Sequence, residues 1–190
     1  MVQENIEDVD NMEDNDIVLL INKNKYNFYL LTKKYKSKLK RYIKHISFFN
    51  DEEIEDILQD IFIKVYIKLN SFDDSMKFSS WIYRIAHNQT VDKIRKNKNR
   101  TKEISIDNEE IEIVLKSEEN IEKNLINKEI IEKIKKAIEE LPNSYKEVLI
   151  LRYIEERSYE EIGDILQKPK GTIAALINKG RKIIQGKVKI

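Results

Sequence analysis

The sequence predicts an all-α protein built as two small helical domains joined by a charged linker. Glycine (4) and proline (2) are scarce among 190 residues, while Ile, Leu, Lys and Glu dominate, a mix that favours helices over sheets. Apolar residues recur at helical spacing in several stretches separated by caps and breakers. Between two such groups, residues 101–125 carry charge without a clean period. The expected organisation is an acidic tail over residues 1–15, a first domain over 16–100, an acidic linker over 101–125 and a second domain over 126–190.

Taken in order, "DIVLLINKNKYNFYLLTKKYKSKLKRYIKHI" from Asp16 repeats apolar residues at helical spacing, including Tyr35, Leu39, Tyr42, Ile43 and Ile46. Asn50 with Glu53 three residues on fits a capping box that opens the next helix. That helix, "DEEIEDILQDIFIKVYIKL", lines up Ile54, Ile57, Leu58, Ile61, Val65 and Leu69 on one side. "NSFDDSMKFSS" reads as a loop, and "WIYRIAHNQTVDKIRK" as an amphipathic helix with Ile82, Ile85, Ala86 and Ile94 inward. After the linker, "INKEIIEKIKKAIEEL" is helical and stops at Pro142. "SYKEVLILRYIEE" makes another helix, with Val148, Leu149, Leu151 and Ile154 apolar. Ser158 and Glu161 form a second capping box.

Composition excludes several classes of function. There is no cysteine, hence no disulfide and no thiolate metal site, and two histidines, His45 and His87, are too few for a metal centre. Each histidine reads most simply as a surface helix residue. A Gly-rich phosphate loop and a His–carboxylate cluster are also missing, so an enzyme is disfavoured and no cofactor is expected. No apolar run approaches the roughly 18–20 residues that span a bilayer, and the acidic start lacks a signal pattern. The expectation is a cytoplasmic protein without membrane insertion.

A net charge of +1 and a pI near 7.7 argue weakly against nucleic-acid binding. Charge is segregated, however. "DKIRKNKNRTK" holds Lys93, Arg95, Lys96, Lys98, Arg100 and Lys102 against one acid at a helix end, between the acidic tail and the acidic linker.

The stretch "SYEEIGDILQKPKGTIAALINKGRKII" has the form of a helix-turn-helix. At about 100° per residue, Ile173, Ile177, Gly180 and Ile184 point inward, whereas Ala174, Ala175, Asn178, Lys179 and Lys182 point outward. Pro169 suits a first helical turn, where its missing N–H needs no partner. Such helix pairs also occur in plain bundles, so this motif alone leaves a DNA reader and a protein-interaction module both open.

Two stretches carry a resemblance to a known family. "IEELPNSYKEVLILRYIEERSYEEIGDILQKPKGTI" resembles region four of bacterial RNA polymerase sigma factors, and "EDILQDIFIKVYIKLNSFDDSMKFSSWIYRIAHNQTVDKIRK" resembles their region two. Both in this order, with a linker and no other region, resemble the compact extracytoplasmic-function type over roughly residues 16–184. The resemblance implies a factor that binds core polymerase, through its clamp coiled coil and flap, and directs promoter recognition, DNA melting and initiation. Promoter DNA and an anti-sigma factor are its other implied partners.

By the same resemblance, Asp56, Gln59 and Asp60 would dock on the clamp coiled coil, with Phe62 beside them in the core. Phe72 and Lys77 would hold a flipped base of the minus-ten element, and Trp81, the single tryptophan, would sit at the upstream edge of the bubble. Arg84, His87, Asn88 and Gln89 would follow along the strand, with Lys93, Arg95 and Lys96 on phosphates. A packed role competes with contact for Trp81 and is preferred for Phe78. For the minus-thirty-five element the matching positions are Lys168, Lys170, Gly171, Thr172, Ala174, Ala175, Asn178, Lys179, Arg181 and Lys182. Here the chain departs from the family, which usually places basic or hydroxylic residues where Ala174, Ala175 and Leu176 stand. An Asn amide suits adenine and Ala methyls suit thymine methyls, which predicts an A/T-leaning or weakly discriminating contact. Gly163 also departs, standing for a usual Ala where two helices are expected to cross. The acidic linker is expected near the polymerase's RNA exit path.

Overall fold

The computed structural model describes residues 9–73, 75–97, 133, 136–138 and 140–187; the linker over 101–125 and most of the helix expected from Ile126 lie outside them. Seven α-helices lie wholly within the described residues: α1 (Asp14–Lys23), α2 (Phe28–Ile46), α3 (Asp51–Lys68), α4 (Phe78–Lys96), α5 (Asn143–Leu149), α6 (Tyr159–Leu166) and α7 (Lys170–Lys187). No strand occurs among them.

The first capping box forms as its spacing predicts. Asn50 Oδ1 accepts the Glu53 backbone N–H at 2.9 Å, and Glu53 Oε2 accepts the Asn50 N–H at 3.1 Å. The long helical pattern from Asp16 divides, however, into α1 and α2. Asn24 is extended, its side chain accepts the Tyr26 N–H at 3.1 Å, and Asn27 Nδ2 donates to the Leu20 carbonyl at 2.9 Å. The Leu20 carbonyl keeps the Asn24 N–H at 2.9 Å and gains the Asn27 amide as a second donor, while the Asn24 side chain gives the Tyr26 N–H the acceptor a continuous helix would have supplied.

The core of the first half is made by α2, α3 and α4. Leu39, Tyr42 and Ile43 meet Ile57, Ile61 and Val65 and then Ile82, Tyr83 and Ala86, all fully buried. Tyr42 and Tyr83 pack with ring centroids 5.2 Å apart. The described end of the acidic stretch is part of this fold. Val9 is buried, Tyr35 donates its hydroxyl to Asp14 Oδ2 at 2.6 Å, and Lys34 pairs with Asp14 at 2.8 Å.

In the second half, α5 runs directly into a π-helical turn, Ile150–Ile154, which buries Ile150, Leu151 and Ile154 together. Ser158 caps α6 reciprocally with Glu161, at 3.2 and 2.9 Å. The two halves then pack on each other, chiefly α4 on α6, with α2 touching α5 and the π turn.

Candidate nucleic-acid interface

Along α3, the inward set is Ile54, Ile57, Leu58, Ile61 and Val65, as expected. The opposite stripe exposes Asp56, Gln59 and Asp60. The stripe continues past the acids as apolar surface: Ile63 is 58% exposed, Tyr66 48% and Ile67 71%. Phe62 is half-buried against the core, edge-on to Phe28 at 6.4 Å, while Phe28 stacks edge-on with Tyr66 at 5.2 Å. The apolar extension was readable in principle, because Ile63 and Ile67 fall out of phase with Ile57, Ile61 and Val65.

The residues matched to the minus-ten element do not share one open face. Phe72, Phe78 and Trp81 form an aromatic triad with centroids 5.2–5.4 Å apart. Within it Trp81 is only 8% exposed, so its indole is a packed group here rather than a surface platform. Gln89 turns toward α3, donating to Asp60 Oδ2 at 3.2 Å and accepting from Lys64. Lys77 meets Glu161 at 3.4 Å, and Arg84 donates to the Met76 sulfur at 3.1 Å. His87 lies 3.1 Å from the Tyr42 hydroxyl. Burial, reinforced by the positive charges of Lys168 and Arg95, pushes the His87 imidazole down to about 4. His87 is thus half-buried rather than a plain surface residue, and His45, also expected at the surface, is buried. Asn88, Arg95 and Lys96 are exposed and Lys93 half-buried, leaving the basic end of α4 accessible.

Between the halves runs a cleft of about 440 Å³ lined by Arg84, Glu160, Gly163, Asp164, Gln167, Lys168 and Lys170. Its floor explains Gly163. A Cβ there would lie 2.8 Å from the backbone carbonyl of Lys168, whose own N–H bonds the Gly163 carbonyl at 3.0 Å. The glycine therefore admits the turn backbone rather than a crossing helix. Gln167, in the left-handed region at φ 54°, makes that turn.

Beyond the turn, the Pro169 carbonyl accepts the Thr172 and Ile173 N–H groups, starting α7. Ile173, Ile177, Gly180 and Ile184 are buried, and Gly171, Thr172, Ala175, Asn178, Lys179 and Lys182 exposed. Ala174 and Arg181 are half-buried. Lys170 pairs with Glu160 at 2.5 Å. The outer stripe of α7 is as expected at Ala175, Asn178, Lys179 and Lys182, whereas Ala174, expected to point outward, is half-buried.

Comparison with known proteins joins these surfaces to one family. The family model Sigma-70 region 2 matches residues 31–100, and Sigma-70, region 4 matches residues 131–184. The "ECF RNA polymerase sigma factor SigW" of Bacillus subtilis (strain 168) is 36% identical over 145 residues, covering 72% of this chain and 75% of SigW. The chain belongs to the sigma-70 family, as a sigma factor of the extracytoplasmic-function (ECF) type. Its fold is also that of solved sigma factors. CnrH, in complex with the cytosolic domain of CnrY, superposes with TM-score 0.65 at 18% identity over 91% of this chain and 95% of CnrH. The sigma factor RpoE of Bartonella quintana, in complex with the anti-sigma factor NepR, superposes with TM-score 0.62 at 20% identity over 86% of this chain and 98% of RpoE.

As an ECF sigma factor, the chain directs promoter-specific transcription initiation with core RNA polymerase. Its family is one of binding factors rather than enzymes. No helix among the described residues is long and apolar enough to cross a membrane.

Proposed function

We propose that each half of this sigma factor carries a distinct binding task. Asp56, Gln59 and Asp60 on α3 dock on the polymerase clamp coiled coil, and Ile63, Tyr66 and Ile67 extend that contact as an apolar strip. The observation that carries this reading is the uninterrupted exposure of an acid–amide stripe running into large apolar side chains, which one basic, amphipathic partner helix would cover. The aromatic triad and the basic end of α4 hold the minus-ten strand once Phe72 and Trp81 are released from their packing. The second half lies against the flap and sets α7 on the minus-thirty-five element.

On α7, Asn178 and Lys179 are the base-reaching side chains, with Gly171, Thr172, Ala174 and Ala175 in close backbone or methyl contact. Lys168, Lys170, Arg181 and Lys182 anchor phosphates. The protein works in the cytoplasm with its polymerase, and an anti-sigma factor is a further proposed partner. The experiment is co-purification of core polymerase with the full chain carrying Asp56→Ala, Gln59→Ala and Asp60→Ala together. All three side chains are exposed, so helicity should be unchanged while core binding falls at least tenfold. Unchanged core binding would remove α3 as the docking face.

A further inference from the structure

We infer that the outer face of α2 is a peripheral membrane-binding surface, suited to a bilayer rich in anionic lipid. None of its residues is among those assigned above to polymerase or DNA, so the inference stands apart from that reading. The sequence of α2, "FYLLTKKYKSKLKRYIKHI", holds Lys33, Lys34, Lys36, Lys38, Lys40, Arg41 and Lys44 and no acidic residue. Like charges four residues apart weaken a helix, and Lys36 with Lys40 and Lys40 with Lys44 are such pairs. A helix that only had to be solvated would gain by alternating the signs of its charges.

The fold divides these cations into two sets. Lys34 pairs with Asp14 at 2.8 Å, Lys38 with Asp10 at 3.4 Å, and Arg41 with Glu155 at 3.1 Å, all on one flank of the helix. The others share the outward face with Tyr29. At about 100° per residue, Tyr29, Lys33, Lys36, Lys40 and Lys44 fall within an arc of about 80° and run about 22 Å along the axis. Lys40 is half-buried and the rest of this stripe is exposed. Just before the helix stands Tyr26, 88% exposed.

Along the stripe lies an open recess of about 580 Å³ lined by Tyr29, Thr32, Lys33, Lys36, Ser37 and Lys40. Its lining is mostly apolar. Lysine stems can cover such surface while their ammonium groups stay in water. That combination matches the boundary of a bilayer. Headgroup phosphates there meet the ammonium groups, and tyrosine rings sit between headgroups and acyl chains. A nucleic-acid strand would seek the same charge. All six lining residues come from one helix, however, so no second wall confines a strand as a groove does.

The acids beside the stripe set its strength. Glu55 of α3 pairs with Lys36 at 2.9 Å and with Lys40 at 3.0 Å, and Asp51 lies 3.6 Å from Lys40. Hydrogen bonds from Lys36 and Lys40 hold the Glu55 carboxyl below its ordinary range, so it stays charged and offsets part of their charge. Among the described residues, Lys33 and Lys44 form no ion pair and carry their full charge outward.

The test is flotation of the full chain with vesicles of phosphatidylglycerol and phosphatidylcholine in equal amounts, against vesicles of phosphatidylcholine alone. Binding is expected to the anionic vesicles only, and it should weaken as salt is raised. The basic end of α4 attracts anions too, so variants assign the face. Lys33→Glu together with Lys44→Glu, both exposed, should lower vesicle binding at least tenfold with helicity unchanged. Tyr26→Ser should lower it a few-fold. Glu55→Gln, which frees Lys36 and Lys40, should raise it a few-fold, a gain that loss of fold does not produce. No flotation of the unaltered chain, equal flotation with both vesicle types, or unchanged binding in the double lysine variant each overturns the proposal. If the unaltered chain ignores vesicles but binds a single-stranded oligonucleotide that the double lysine variant releases, the face takes nucleic acid instead and the membrane surface is rejected.

Discussion

The proposed docking stripe on α3 and the proposed DNA face on α4 are both polar sides of amphipathic helices in one bundle, yet they are built differently. The α3 stripe is open: Asp56 and Gln59 reach solvent, and Ile63 and Ile67 stand out with them. The α4 face is occupied, its aromatics packed into a triad and its middle covered by α6 and the turn beyond. The surface proposed to meet polymerase is left free. The α4 face instead lies against the protein's own second half.

That contrast predicts where substitutions act. The largest effect is expected at Trp81, where truncation to Ala should cost about 3–5 kcal/mol of stability in urea denaturation, because the ring is packed with Phe72 and Phe78. It should also slow promoter opening, read by permanganate reactivity of unpaired thymines. A wild-type denaturation midpoint would instead make Trp81 a surface platform and erase the contrast.

Acid should act next, through His87. Its folded pKa of about 4 lies below the ordinary value of 6.5, so within that window the unfolded chain binds a proton the folded chain does not. Stability from this group is complete above about 6.5 and is lost as pH falls toward 4, by on the order of 3 kcal/mol. The groups around it are the Tyr42 hydroxyl, Lys168 and Arg95. His87→Gln should flatten the difference in denaturation free energy between pH 7 and pH 4.5; an unchanged slope would place the imidazole in water.

Gly163→Ala follows. Helix propensity favours Ala by about 0.5–1 kcal/mol, but a Cβ 2.8 Å from the Lys168 carbonyl forces backbone to move. The net expected change is a loss of about 1–2 kcal/mol, seen as a lower thermal midpoint, whereas a higher midpoint would mean the turn gives way freely. Smallest on stability is Ile63→Ser, on the open stripe. It should leave the denaturation midpoint within about 0.5 kcal/mol and weaken core-polymerase binding by about tenfold.

Local rules were legible in the sequence. Both capping boxes, the inward sets of α3 and α7 and the all-helical class follow from spacing and short-range chemistry. The division at Asn24 was not, because apolar spacing runs through it while the Asn24 side chain accepts the Tyr26 N–H and the Asn27 amide adds a second donor to the Leu20 carbonyl. For α4 a single inward stripe was expected, but Tyr83 and Thr90 are as buried as Ile82 and Ala86. A helix covered from two sides, by its own bundle and by a domain some seventy residues later in the chain, shows only one of those sides as periodicity. The same fact hid the partners of Gln89 and His87, whose surroundings come from α3, α2 and the second half. Glu155 gave no signal at all, since a carboxylate in a charged stretch looks solvated until Arg41 and Tyr83 are brought to it.

The central claim is that this chain is an initiation factor whose open α3 stripe recruits polymerase to promoters. Its most direct test is run-off transcription with purified core polymerase on A/T-rich promoter templates. The account predicts that the chain co-purifies with core and yields a defined transcript absent with core alone. A chain that neither associates with core nor directs a transcript would contradict it.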